Sequence, residues 1–120
     1  MDLKHQLEER LINFAVLIIQ VINQLPDNRV GNHLGGQLLR SGTSPALNYG
    51  EALGAESRKD FVHKLGVILK ELRETQNCLR ILSRINYLKK DDPALIECNE
   101  LISIFVKSIN TTRGIVPINK

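Results

Sequence analysis

The sequence predicts an all-α protein, an antiparallel up-down four-helix bundle, on three observations. Apolar residues recur at alternating four- and three-residue steps in four separate segments. Short connections rich in proline, glycine, aspartate and asparagine divide those segments, and short connections between long amphipathic helices favour antiparallel neighbours. The core must be built from leucine and isoleucine, since aromatics make up only 4% and tryptophan is absent. Such a palette suits helices better than a β-sandwich. With 120 residues, 42% of them hydrophobic and 24% charged, the chain is expected to form one soluble domain over 1–120.

The expected helices cover about residues 3–25, 32–53, 58–87 and 93–113. In the first, Leu7, Leu11, Phe14, Ile18, Val21 and Leu25 form a seam on one face, and Pro26-Asp27-Asn28 makes the turn. A second apolar row, Ile12, Ala15, Ile19 and Ile22, runs beside it, so this helix has more than one surface to cover. The second helix repeats the spacing with Leu34, Leu38, Ser41, Pro45, Asn48 and Ala52. Pro45 removes one backbone donor and is expected to kink the helix or open a wider turn near Ser41, and Gly54 is placed to end it. The third helix starts at a capping-box-like Ser57-Arg58-Lys59-Asp60 and carries Phe61, Leu65, Ile68, Leu72, Thr75, Leu79 and Leu82. In the fourth, Asp92 is the expected N-cap with Pro93 at the first helical position. Its face holds Leu95, Cys98, Ile102, Phe105 and Ile109, and Gly114 or Pro117 ends it.

Several function classes find no support in these residues. No apolar run approaches the roughly 20 residues that span a bilayer, and Met1-Asp2-Leu3-Lys4 does not open a signal peptide. Cys78 and Cys98 form no CxxC pair, and His5, His33 and His63 lie on three different segments. A reduced cytoplasmic protein without metal or cofactor is expected. No nucleophile elbow, HExxH or phosphate-loop pattern occurs, so no catalytic residue is assigned and the protein is expected not to be an enzyme.

Two constellations remain. On a wheel of 100° per residue, Lys59, Lys70, Arg73, Arg80 and Arg84 of the third helix fall within about 80° of one another. Nine basic and three acidic residues lie between Arg58 and Lys90, a local balance of +6 in a chain of net +3. Such a row either tracks a phosphate backbone or is a solvated face with pairs such as Lys70–Glu74. The second constellation is Gln37, Arg40, Ser41, Ser44, Asn48 and Glu51, within about 100° on the second helix. Ser41 and Asn48 lie on the seam itself, where a buried polar group needs a partner. This cluster is expected to be a satisfied polar layer fixing register or assembly, with Arg40–Glu51 as an ion pair, or else a ligand contact.

The stretch from Gln37 through Arg40, Ser41, Ser44, Asn48 and Glu51 resembles the signature of a bacterial four-helix-bundle family. The family's pattern is approximately Q-L-x-R-S-x-x-S-I-x-x-N-I-x-E-G. Its members include the proteins encoded in intervening sequences of large-subunit ribosomal RNA genes. Lys59-Asp60-Phe61, Leu65, Glu71-Leu72 and Leu79 are similar to its third helix. The chain departs from the pattern at Pro45 and Tyr49, where isoleucine is usual, and at Ala52, where glycine is usual. The resemblance implies a homopentameric ring. It is also similar to the accessory variability determinant of diversity-generating retroelements, which binds nucleic acid and a reverse transcriptase. The implied function is a non-enzymatic oligomer that contacts RNA or DNA phosphates through the basic row. The alternative is a scaffold that docks a partner enzyme such as a reverse transcriptase without touching nucleic acid itself.

Overall fold

A computed structural model describes residues 2–114. Its elements are α1 (Leu3–Asn23), α2 (Arg29–Ala52), α3 (Arg58–Arg84) and α4 (Pro93–Thr112), with no strand among the described residues. Each helix opens on a side chain that accepts a backbone N–H left over at its first turn. Asp2 accepts from His5, Asn28 from Gly31, Ser57 from Asp60 and Asp92 from Ala94, all at 2.8–3.0 Å.

The helix limits differ from the sequence expectation by two or more residues at three places. α1 stops at Asn23, two residues early, because Gln24 and Leu25 already bond to carbonyls three residues back. α2 begins at Arg29, because Asn28 caps it instead of belonging to the turn alone. α3 ends at Arg84, because Asn86 takes a left-handed φ of 65°. There the Tyr87 N–H reaches back to the Leu82 carbonyl at 2.9 Å and the Asn86 N–H to that of Ser83 at 3.1 Å, a Schellman closure. The wider turn expected near Ser41 is absent, and α2 stays α-helical from Arg29 to Ala52 with Pro45 buried inside it. The hydroxyls of Thr43 and Ser44 fold back onto the carbonyls of Leu39 and Arg40 in the turn before the proline. Gly114, at φ 82°, follows the end of α4, and Pro117 lies outside the described residues.

The helices surround one core in the order α1, α2, α3, α4, with α4 returning to α1. The α2–α3 seam is the most extensive and the α1–α4 seam the least. Leu11, Phe14, Ile18, Leu38, Leu65, Ile68, Leu72, Leu79, Leu82, Leu101 and Phe105 are essentially sealed from water. Tyr49 of α2 meets Phe105 of α4 edge-to-face across this core, with ring centres 5.9 Å apart. The thin α1–α4 seam is closed by Arg10, whose Nε and Nη2 donate to the two carboxylate oxygens of Glu97 at 2.6 and 2.9 Å. Both cysteines are buried, and burial pushes the Cys98 thiol up to about 12, so it stays protonated at neutral pH.

Gly42 sets the approach of α2 to α1. A Cβ built there would sit 2.8 Å from two carbons of Ile18, whereas one at Gly66, exposed on α3, would meet nothing within 4 Å. Gly42→Ala should therefore lower stability by about 1–3 kcal/mol through overpacking. Gly66→Ala should raise it by about 0.5–1 kcal/mol by relieving the entropic cost of a mid-helix glycine. Urea denaturation of the two variants beside the parent measures both signs.

Candidate nucleic-acid interface

α3 turns one long face to the core and the opposite one to water. Leu65, Ile68, Leu72, Thr75, Leu79 and Leu82 point inward, and Lys59, Lys70, Arg73, Arg80 and Arg84 are all exposed on the other side. From Lys59 to Arg84 the row runs roughly 37 Å at 1.5 Å per residue. Among the described residues none of these five cations is in an ion pair.

The acidic residues of α3 are used elsewhere. Arg40 of α2 reaches across the seam, with its Nη1 donating to Glu71 at 3.0 Å and its Nη2 to Glu74. Glu71 and Glu74 stand one turn apart, where like charges repel, and the guanidinium between them relieves that repulsion. The consequence is local and electrostatic: both carboxylates are engaged from α2, and among the described residues neither pairs with Lys70 or Arg73. The Lys70–Glu74 pair allowed by the sequence does not form, because Glu74 is held by Arg40. The expected Arg40–Glu51 pair does not form either. Eleven residues along one helix separate them by roughly 16 Å, far beyond ion-pair reach.

The α2 polar cluster thus divides in two. Ser41 is sealed in the α2–α3 seam and its hydroxyl is hydrogen-bonded to that of Thr75 at 2.9 Å. Thr75 Oγ1 also lies 2.8 Å from the Glu71 carbonyl, so both hydroxyls are satisfied. Ser44 is occupied by the Arg40 carbonyl, and Asn48 is half-buried, while Gln37 and Glu51 are exposed. Among the described residues no hydrogen bond ties Gln37, Asn48 or Glu51 into the buried pair. Sequence reasoning missed Thr75, Glu71 and Glu74 as partners of this cluster. The available signal was that Ser41 and Thr75 are both polar positions on helix seams, Thr75 in an otherwise apolar one.

The structure also adds cations to the row. Arg58 of α3 and Arg113 at the end of α4 join Lys59 around an open cavity of about 440 Å³, lined also by His63 and Val62. A larger cavity of about 740 Å³ lies at the α3–α4 connection, where Lys89 and Lys90 are balanced by Asp91 and Asp92. Among the described residues there is no cluster of three His, Cys, Asp or Glu able to hold a metal ion, and no helix long and apolar enough to cross a membrane.

A four-helix all-α fold with a charged outer helix and a small polar layer defines the class of molecule. The chain belongs to the 23S rRNA-intervening sequence protein family, whose model matches residues 4–107. It is also similar to a solved protein of unknown function from the S23 ribosomal protein family of Bacteroides thetaiotaomicron. The two share 32% identity over 85% of this chain and 96% of that one, with a TM-score of 0.77. No curated protein matches the chain.

The Ser41–Thr75 pair yields a double-mutant test. Thr75→Val leaves the buried Ser41 hydroxyl without its partner and should cost about 1–3 kcal/mol. Adding Ser41→Ala should recover most of that loss, because two apolar groups then replace a broken pair. Thermal or urea unfolding of the two single variants and the double variant gives the coupling directly.

Proposed function

We propose that the protein is a non-enzymatic, cytoplasmic, homo-oligomeric nucleic-acid-binding protein that holds RNA or DNA by its phosphates. The observation that carries this reading is the outer face of α3. Lys59, Lys70, Arg73, Arg80 and Arg84 stand exposed along one line, and Glu71 and Glu74, the carboxylates beside Lys70 and Arg73 on the helix, are paired with Arg40. Cations along a straight helix can follow a phosphate backbone, and binding then releases counterions. The family's description, an intervening-sequence protein of 23S rRNA, makes RNA the first ligand to try.

The assembly belongs to the same proposal: an antiparallel up-down bundle repeated in a homopentameric ring. Support comes from the α1–α2 surface. Between Leu11 and Leu25 there is no charged residue, yet Ile12, Val16 and Ile19 are 43, 47 and 42% exposed. Leu39 and Leu47 of the adjacent α2 are exposed as well. Contiguous apolar surface of this kind is normally covered by another chain. Gln37, Ser44, Asn48 and Glu51 along the outer edge of α2 would hold the geometry between subunits. Five chains at +3 each would turn a modest charge into a strong field. The same apolar surface favours a second reading, in which the assembly docks a partner enzyme such as a reverse transcriptase.

The test is binding of a structured RNA, followed by fluorescence anisotropy across a salt series. The expected outcome is a steep log–log fall in affinity, close to 0.9 per phosphate contacted. The triple variant Arg73→Glu, Arg80→Glu, Arg84→Glu should lose binding while keeping its sedimentation coefficient. No binding at low salt, or a flat salt response, overturns the proposal. Undiminished capture of a partner enzyme by the triple variant would favour the scaffold reading. For the assembly, Val16→Glu with Ile19→Glu should reduce the sedimenting particle to a single 13.5-kDa chain.

A further inference from the structure

We infer that the α3 face is built for unpaired, single-stranded nucleic acid and not for a duplex. This inference rests on the reading of that face as a phosphate-binding surface. It begins with two isoleucines that the core does not need. Leu79 and Leu82, in the same stretch, are fully buried, but Ile81 and Ile85 are 48 and 39% exposed. They stand one helical turn apart and so form a continuous apolar step. The step lies directly beside Arg80 and Arg84, displaced from them by about 100° around the helix. Asn77, Arg80, Ile81 and Arg84 together line an open cavity of about 290 Å³, and no acidic residue is among them.

The chemistry of this arrangement discriminates between two forms of nucleic acid. A duplex turns its base faces inward and offers phosphates on both edges, so an apolar step beside a cationic row gains nothing from it. A single strand can place phosphates on one side and base faces on the other, and base faces pack on apolar surface and on guanidinium planes. Arg80 and Arg84 take the phosphates, and Ile81 and Ile85 take the base. Asn77 offers a further polar group: its Oδ1 lies 3.4 Å from Arg80 Nη1, which leaves its amide N–H groups free to meet a base edge. Isoleucine side chains carry no donor or acceptor, so the apolar part of the contact does not read base identity.

The probes are a labelled uridine homopolymer and a blunt RNA duplex of equal phosphate count, titrated at matched salt against the full chain. The wild-type protein should favour the single strand by about five-fold, the scale of roughly 40 Å² of apolar surface withdrawn from water. The variant Ile81→Ser with Ile85→Ser, both at exposed positions, should bring that ratio close to one. Its salt slope and duplex affinity should stay unchanged. Equal or tighter duplex binding by the wild type overturns the inference while leaving the phosphate-binding proposal intact. An unchanged ratio in the double variant also overturns it. If that variant instead alters the sedimenting mass, the apolar step is a protein contact. Failure of both probes to bind at low salt removes this inference and the proposed function together.

Discussion

A pair of hydroxyls sealed from water, Ser41 against Thr75, fixes how α2 lies along α3. Apolar side chains can slide by a turn at modest cost, because leucine meets leucine again. A hydroxyl that slides meets only carbon, and an unpartnered buried polar group is expensive. With Ser41 opposite Thr75 at 2.9 Å, Arg40 is carried to the level of Glu71 and Glu74. The buried pair and the surface clamp are adjacent outcomes of one register. That register decides which charges of α3 are spoken for and which face the solvent alone.

Charge and apolar surface are segregated in consequence. α1 and α2 approach each other closely at Gly42 and Ile18, and no charged residue lies from Leu11 to Leu25. α3 carries its cations on the far side of its own buried seam. A molecule divided in this way has one surface suited to packing against protein and another suited to anions, and the two need not compete for the same residues.

Most of the fold was legible in the sequence because helix formation here is a local property. Four-three spacing located all four helices, and Ser57 and Asp92 cap where the residue types indicate. The errors lie at helix ends and in the middle of α2, where the wider turn expected near Ser41 does not open. Ile85, Tyr87 and Leu88 continue an apolar pattern past the end of α3, and no periodicity reveals the left-handed turn at Asn86. The basic row was legible for the same local reason, since all of its members share one helix. The clamp was not, because Arg40 lies 31 and 34 residues from its two carboxylates. Nothing in the spacing along one chain says which turn of α2 will stand opposite which turn of α3. Glu51 matched Arg40 in angle but not in height, an error that a wheel cannot show and a length along the axis can.

The sealed cysteines have a practical corollary. Cys78 lies 3.6 Å from the Leu34 carbonyl and Cys98 lies 3.4 Å from that of Leu72, and burial raises both thiols above their ordinary range. Thiolate-directed dyes and spin labels thus find little to attack in the folded protein. A cysteine placed at any solvent-facing site would carry such a reporter by itself, with the natural pair left in place.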